Sequence, residues 1–347
     1  MNKRKKTIYI TGKDNYKWST YYDWKHHIKT FRSLGFKTVN NYKKASIIYN
    51  IWWNNPELLN TQFRIFKLIL NKKLISVVSN NISDYKNEFN KFCKITDFWV
   101  CTNEKQIDFL IKKNIKRDKI FLNPFYVNEK IFKFLDKTKK QLADQLEINY
   151  NVLKNKYLIG SFQRDSLGKD LSKPKWQKNP DMYIDIFKGI DKKRYLFILA
   201  GPRRHYLITQ LEKNNVNYIF IGNESYIRNN KDDIKVNTLS LTKINTLYNL
   251  IDLYLVVSTS EGGPKAIIES SLTKTPILST DVGIAKIFLD EFCICNNTNE
   301  FVKKIKMLRK NEKICNEVIN NNFTNTIKIN TYYNFKDRIK NIIKSII

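Results

Sequence analysis

S258-T-S-E-G-G-P-K-A-I-I-E-S-S-L-T-K-T-P-I-L-S-T-D-V-G283 decides how this chain is read. The apolar run from Ile251 to Val257 predicts a buried strand, and an acidic, glycine-rich turn follows it. A short helix opens at Pro264, and a second buried strand begins at Pro276. Glu261 lies in the turn, and Glu269 follows eight positions later on the helix. This order builds a polar site at the carboxyl edge of a parallel sheet. Gly262 and Gly263 carry no Cβ, so the backbone there is open to unusual dihedrals and to close approach by a ligand. Pro264 suits the first helical position, where its missing N–H costs nothing. The amides of this turn and the helix dipole together attract an anion such as a diphosphate. Glu261, beside that anion-attracting turn, is suited to accept hydrogen bonds from sugar hydroxyls, and Glu269 to accept them from a second diol such as a ribose. The same spacing also fits a solvated glutamate pair flanking an ordinary βα turn.

A second stretch, Y157-L-I-G-S-F-Q-R-D-S-L-G-K-D-L-S-K-P-K-W-Q-K-N-P-D-M-Y-I-D-I-F187, reads as strand, polar loop and helix. Arg164 follows the strand, and Lys178 stands just before the helix expected over 180–189. A diphosphate leaving group needs cationic donors. Arginine offers a planar fork for two oxygens, and lysine offers a point charge. Similar segments in a known family carry an Arg after the strand and a Lys just before the helix; by that resemblance Lys178 takes the lysine role, and Lys169, nearer the customary spacing from Arg164, is its rival.

Together these segments resemble the donor-site signature of retaining glycosyltransferases of the GT-B fold, chiefly glycosyltransferase family 4. In that pattern a Glu is followed by Gly-x-Pro and, eight positions on, by a second Glu; an Asp-x-Gly follows the next strand. Glu261, Gly262, Pro264, Glu269, Pro276, Asp281 and Gly283 all fall in register. The resemblance implies an α/β fold of two Rossmann-like, doubly wound parallel-sheet domains facing a central cleft. It implies a metal-independent hexosyl transfer, with retention, from a nucleotide-diphosphate sugar to a glycan, lipid-linked or other acceptor hydroxyl. Glu261, Arg164 and Lys178 then carry the catalytic roles. Gly262, Gly263, Pro264, Lys265, Glu269 and Lys169 bind the donor. No cofactor is implied beyond the donor itself, and no general base is assigned; the departing phosphate takes the acceptor's proton.

The rest of the chain fits two domains. Its 347 residues are 42% apolar, and no run approaches a membrane span. The start M-N-K-R-K-K-T-I-Y-I-T-G reads as a first strand, its apolar stretch being too short for a signal peptide. Five cysteines, at 93, 101, 293, 295 and 315, show no metal or redox spacing, which fits reduced thiols in the cytoplasm. Strands are expected near 7–11, 45–52, 73–79, 97–102 and 119–122, then near 157–161, 195–200, 218–222, 252–257, 276–279 and 292–295, with helical patterns between them. The reading is an acceptor-binding domain over 1–128, a linker with helical segment over 129–155, a nucleotide-sugar domain over 156–330, and a helix over 331–347 that crosses back. The last carries an apolar stripe of Phe335, Ile339, Ile342, Ile343 and Ile346.

The first half departs from the family. T11-G-K-D-N-Y-K-W-S-T-Y-Y-D-W24 stands where a glycine-rich acceptor loop is usual. Its aromatics suit sugar stacking, and Lys13 and Asp14 are candidates for acceptor hydroxyls. Many family members place a His near the reacting carbon; here the corresponding stretch V77-V-S-N-N-I82 offers Asn80 and Asn81. The loop G201-P-R-R-H-Y206 offers Arg203 and Arg204 as further phosphate ligands. No Asp-x-Asp, nucleophile elbow or phosphate-loop motif occurs. The net charge of +30 calls for an anionic partner: a nucleotide sugar, an acidic glycan or an anionic membrane touched peripherally from the cytoplasmic side. The basic residues are dispersed and no nucleic-acid motif is present, so nucleic acid is not expected. Two other readings stay open: a GT-B sugar-nucleotide epimerase, and a non-catalytic glycan- or nucleotide-binding protein.

Overall fold

The structure, a computed structural model, describes residues 6–16 and 18–347. The basic start before Lys6 therefore lies outside the described residues. The chain divides into two compact units, Met1–Tyr126 with Tyr332–Ile347, and Val127–Thr331.

The first unit is built on six parallel strands: β1 (Thr7–Thr11), β2 (Lys37–Val39), β3 (Ile47–Asn50), β4 (Lys73–Val77), β5 (Phe98–Cys101) and β6 (Ile120–Leu122), in the order β2-β1-β3-β4-β5-β6. Parallel strands need covering on both faces, and alternate residues supply the two cores. Ile48, Leu74 and Trp99 enter one cluster with Trp53, Phe89 and Phe92. Ile47, Tyr49, Ile75 and Val100 enter the other with Phe31. The helix Tyr332–Ile346 completes this second cluster with Phe335, Ile339, Ile342 and Ile343. The stripe expected on the terminal helix is thus its buried face, and the helix is part of the first unit.

The second unit has five parallel strands: β7 (Tyr157–Ser161), β8 (Tyr195–Ala200), β9 (Tyr218–Ile221), β10 (Leu253–Val256) and β11 (Ile277–Ser279), in the order β11-β10-β7-β8-β9. Every residue of β8 and β10 is buried. The chain runs outward from β7 through β8 to β9, then returns to the other side of β7 with β10. That reversal opens a crevice between the carboxyl ends of β7 and β10, the place where open α/β sheets bind ligands. Asn330 pins the point where the chain enters this unit: it accepts from the Val127 N–H and donates to the Val127 carbonyl, both at 2.8 Å.

Two local readings need correction. The strand Lys37–Val39 is absent from the sequence-based expectation, because three partly exposed edge residues give no apolar run. The run at 292–295 forms a 3-10 turn, Glu291–Cys293, and a single parallel bridge from Ile294 to Ser279. The helix Glu104–Lys112 buries Ile107 and Leu110 and leaves Ile111 44% exposed.

Candidate active site

The segment after β10 folds around glycines, though by a different device from the expected one. Neither Gly262 nor Gly263 has positive φ; Gly283 does, at 54°. A Cβ on Gly283 would lie 2.9 Å from both Cα and N of Gly263. The three glycines thus let two backbones touch after β10 and β11. The helix spans Lys265–Leu272, and Pro264 is its N-cap residue rather than its first helical residue. A proline has no side-chain acceptor, so no side chain caps the first turn.

Lys178 closes the crevice from the β7 side. It ends a short 3-10 turn, Trp176–Lys178, that is clasped to the β10 loop. The N–H groups of Thr259 and Ser260 donate to the Gln177 carbonyl at 3.0 and 3.3 Å, and Thr259 Oγ1 donates to the Trp176 carbonyl at 3.2 Å. This clasp brings Lys178 Nζ against Glu261 Oε1 in a partly buried ion pair. Ser258 Oγ donates to the same oxygen at 3.1 Å, and Lys178 also donates to Gln163 Oε1 at 3.2 Å. Gln163 is itself held from below, donating to the Tyr183 hydroxyl at 3.3 Å, which donates to the Leu255 carbonyl at 3.0 Å.

The long loop between Arg164 and Lys178 folds back on itself. Ser166 bridges Pro174, and the Leu167 N–H donates to the Lys173 carbonyl at 3.1 Å. Lys169 sits exposed on this excursion. At its base the Lys175 N–H donates to the Asp165 carbonyl at 2.6 Å, returning the chain to the residue after Arg164. Burial, reinforced by the positive charges of Arg164 and Lys178, pulls the Lys175 ammonium down to about 8 against the opposing pull of Glu261. Arg164, Lys175 and Lys178 therefore share one electrostatic neighbourhood with Glu261. Sequence reasoning missed Lys175. Its one available signal was P-K-W directly ahead of a helix, easily lost among 62 basic residues.

Glu269 reaches the same edge from the helix. The residue as a whole is half-buried, and its carboxyl is packed deeply enough that burial lifts it to about 7, against the hydrogen bond from Tyr248 and the charge of Lys265. Tyr248 donates to Glu269 Oε2 at 3.0 Å and packs edge-on against Phe162, two residues before Arg164, with ring centroids 5.1 Å apart. Glu269 thus packs, through Tyr248, against the segment that carries Arg164.

That carboxyl has a consequence for stability. Its folded pKa is raised, so its contribution is fully present below about 4.5 and is lost as pH rises through about 7. Between pH 5 and pH 8 the parent should lose about 3 kcal/mol that Glu269→Gln does not lose. Denaturant titrations of both proteins at the two pH values measure it; equal losses in the two would contradict the assigned burial.

Other candidates have structural roles. Arg204 is fully buried in a 3.0 Å ion pair with Asp165, so it supports the loop and cannot reach a phosphate at the surface. Arg203 pairs with Asp232 at 2.7 Å and covers Gly168. In the first unit, Asp14 accepts from the N–H groups of Tyr16, Trp18 and Tyr21 and from Thr20 Oγ1, all within 2.9 Å. Burial opposes ionisation there, yet these hydrogen bonds hold Asp14 below its ordinary value. Its oxygens are spent on the loop and on the first turn of the helix Ser19–Ser33. Lys13 lies over the Trp24 ring, 4.7 Å from its centroid. Asn80 accepts from Trp53 Nε1 at 2.6 Å, and Asn81 caps a short turn. His26 packs edge-on to Tyr126, and His27 Nδ1 lies 2.8 Å from the Asp23 carbonyl. Among the described residues, no three His, Cys, Asp or Glu side chains gather to share a metal ion.

Residues 172–324 match the family Glycosyl transferases group 1. No curated protein matches the chain in sequence. Among solved structures, HepE of Anabaena in complex with UDP and glucose superposes with a TM-score of 0.73 at 13% identity, covering 98% of this chain and 100% of that one. Sucrose-phosphate synthase from Thermosynechococcus elongatus gives 0.72 at 10% identity, with 99% of each chain covered. A glycosyltransferase from Rickettsia africae ESF-5 gives 0.68 at 14%, again with 99% of each covered. Two parallel α/β units with this likeness make the fold GT-B, and the family match over residues 172–324 makes the chain a glycosyltransferase.

Proposed function

We propose that this enzyme transfers a hexosyl group from a nucleotide-diphosphate sugar to an acceptor hydroxyl, with retention of configuration and without a metal ion. The observation that carries the reading is the joining of Lys178 to Glu261 across the crevice between β7 and β10, with Arg164 and Lys175 beside them. Three cations supply the charge that a departing diphosphate needs. Arg164 offers a fork to two phosphate oxygens, and the lysines act as point charges. Lys178 takes the role for which Lys169 was the rival, because the clasp to the β10 loop holds it at Glu261. Both Lys178 and Ser258 meet Oε1 of Glu261, which leaves Oε2 to accept from hexose hydroxyls. Glu269, oriented by Tyr248, accepts from the ribose diol. The amides of Gly262, Gly263 and the turn through Pro264 to Lys265 complete the phosphate cradle. The leaving phosphate removes the acceptor's proton. HepE of Anabaena has been seen with UDP-glucose, and uridine diphosphate sugars are the first donors to test.

A panel of uridine and guanosine diphosphate sugars, followed by thermal shift and by transfer to acceptor mixtures, tests the reading. One donor should raise the melting temperature by mass action and give a glycosylated product. Its affinity should fall as pH rises above about 8, since Lys175 loses its proton there and the diphosphate favours the ammonium form. Isomerised sugar without transfer would make the protein an epimerase. Binding without any turnover would make it a non-catalytic reader of the nucleotide.

A further inference from the structure

The first unit carries an apolar surface that the transferase reading does not use. The helix Thr61–Ile69 buries Phe63, and its half-buried Phe66 packs against Tyr42 with ring centroids 6.2 Å apart. That is an ordinary inward stripe. The outward stripe is also apolar: Ile65, Leu68 and Ile69 stand at the spacing that shares a helix face, and Leu70 follows. They are 51%, 82%, 73% and 42% exposed. A surface helix normally turns polar residues outward, and a contiguous exposed aliphatic face marks a surface that is covered in use.

Charge selects what covers it. From Asn60 to Lys73 there are four basic residues, Arg64, Lys67, Lys72 and Lys73, and no acidic one. Lys67 is spent on Asp97 at 2.9 Å. Arg64 and Lys73 are exposed, and Lys43, also exposed, lies over the Phe66 ring at 4.7 Å. Aliphatic side chains rimmed by cations fit the boundary between acyl chains and anionic headgroups. A second copy of this chain would bring the same cations and another +30 of net charge against them. Four side chains also fall well short of the ~1,200 Å² that a stable protein pair buries. We infer that the helix Thr61–Ile69 docks the enzyme on an anionic bilayer, with Leu68 and Ile69 entering the headgroup boundary and Arg64, Lys72 and Lys73 meeting lipid phosphates.

Sedimentation of the full chain with vesicles tests this. Phosphatidylcholine vesicles are compared with vesicles carrying about 30% phosphatidylglycerol. The parent should pellet with the anionic vesicles and much less with the neutral ones, and rising salt should release it. Leu68→Ser with Ile69→Ser should cut the partition at least about tenfold, since two well-exposed aliphatic side chains are lost. Lys72→Ala with Lys73→Ala should weaken it in the anionic case alone. These positions are outside the core, and circular dichroism confirms that the variants fold. The inference fails if the serine variant pellets like the parent, if neutral vesicles bind as well as anionic ones, or if the parent stays in the supernatant. It fails equally if the parent is a dimer that the serine variant dissociates, because a second copy would then cover the face. Nucleotide-sugar binding, measured on the same variants, should be unchanged, so failure here and failure of the donor site are separable.

Discussion

Replacing Arg164 by alanine is expected to lower kcat for sugar transfer by about 10²–10³-fold, the usual cost of losing one preorganised donor to a developing negative charge. Lys178 is held by Glu261 and Gln163, so part of its charge is offset before any donor arrives. Lys175 is partly buried and loses its proton near pH 8, which makes it a conditional charge. Arginine keeps its charge throughout the working range and grips two oxygens at once. Its loss should therefore act mainly on the step in which the diphosphate departs, and donor affinity should fall less than kcat. Arg164→Lys restores the charge without the fork and should recover only part of the rate. Saturating-donor kinetics on the parent and both variants, with melting curves to show that they fold, provide the measurement. Turnover by Arg164→Ala within about threefold of the parent would remove Arg164 from the mechanism.

Much of the candidate site's local structure was legible in the sequence because its parts are consecutive. The β10 strand, the glycine turn, the helix and β11 are consecutive, so Glu261, Glu269 and the glycines follow from one stretch of periodicity and turn chemistry. Residues brought in from elsewhere were harder. The choice between Lys169 and Lys178 depends on a loop that bridges Ser166 to Pro174 and carries Lys169 outward, and no local pattern announces that bridge. Lys175 was invisible for the same reason. Arg204 misled in the opposite direction. A basic loop residue reads as exposed, yet its partner Asp165 lies 39 positions earlier and takes it fully into the interior. The apolar run around Leu68 carries no local mark of exposure, and only the packing shows its outer stripe uncovered. In the first unit the strand Lys37–Val39 was lost because an edge strand needs no apolar face.

The other large effect is structural and comes from Gly283. An alanine there places its Cβ 2.9 Å from Cα and N of Gly263 and 3.0 Å from the carbonyl carbon of Gly262. All three neighbours are backbone atoms, so no side chain can swing aside to relieve the contact. The residue also has a φ of 54°, a left-handed conformation that costs an L side chain about 1–2 kcal/mol. Overpacking and backbone strain together should destabilise the fold by about 2–4 kcal/mol. The contact can relax only by pushing the glycine turn away from the β11 loop. Glu261 rides on that turn, so its contacts with Lys178 and Ser258 would loosen and donor affinity should fall more than tenfold. Gly35→Ala separates the two causes. Gly35 has a φ of 87° but nothing within 4 Å of an added Cβ, and it belongs to the first unit. That variant should lose stability from backbone strain alone and keep the parent's donor affinity. Thermal melts and donor titrations of the two alanine variants decide the matter. A Gly283→Ala protein that melts and binds like the parent would show that the two loops have room to spare, and that the glycine corner does not hold Glu261 in place.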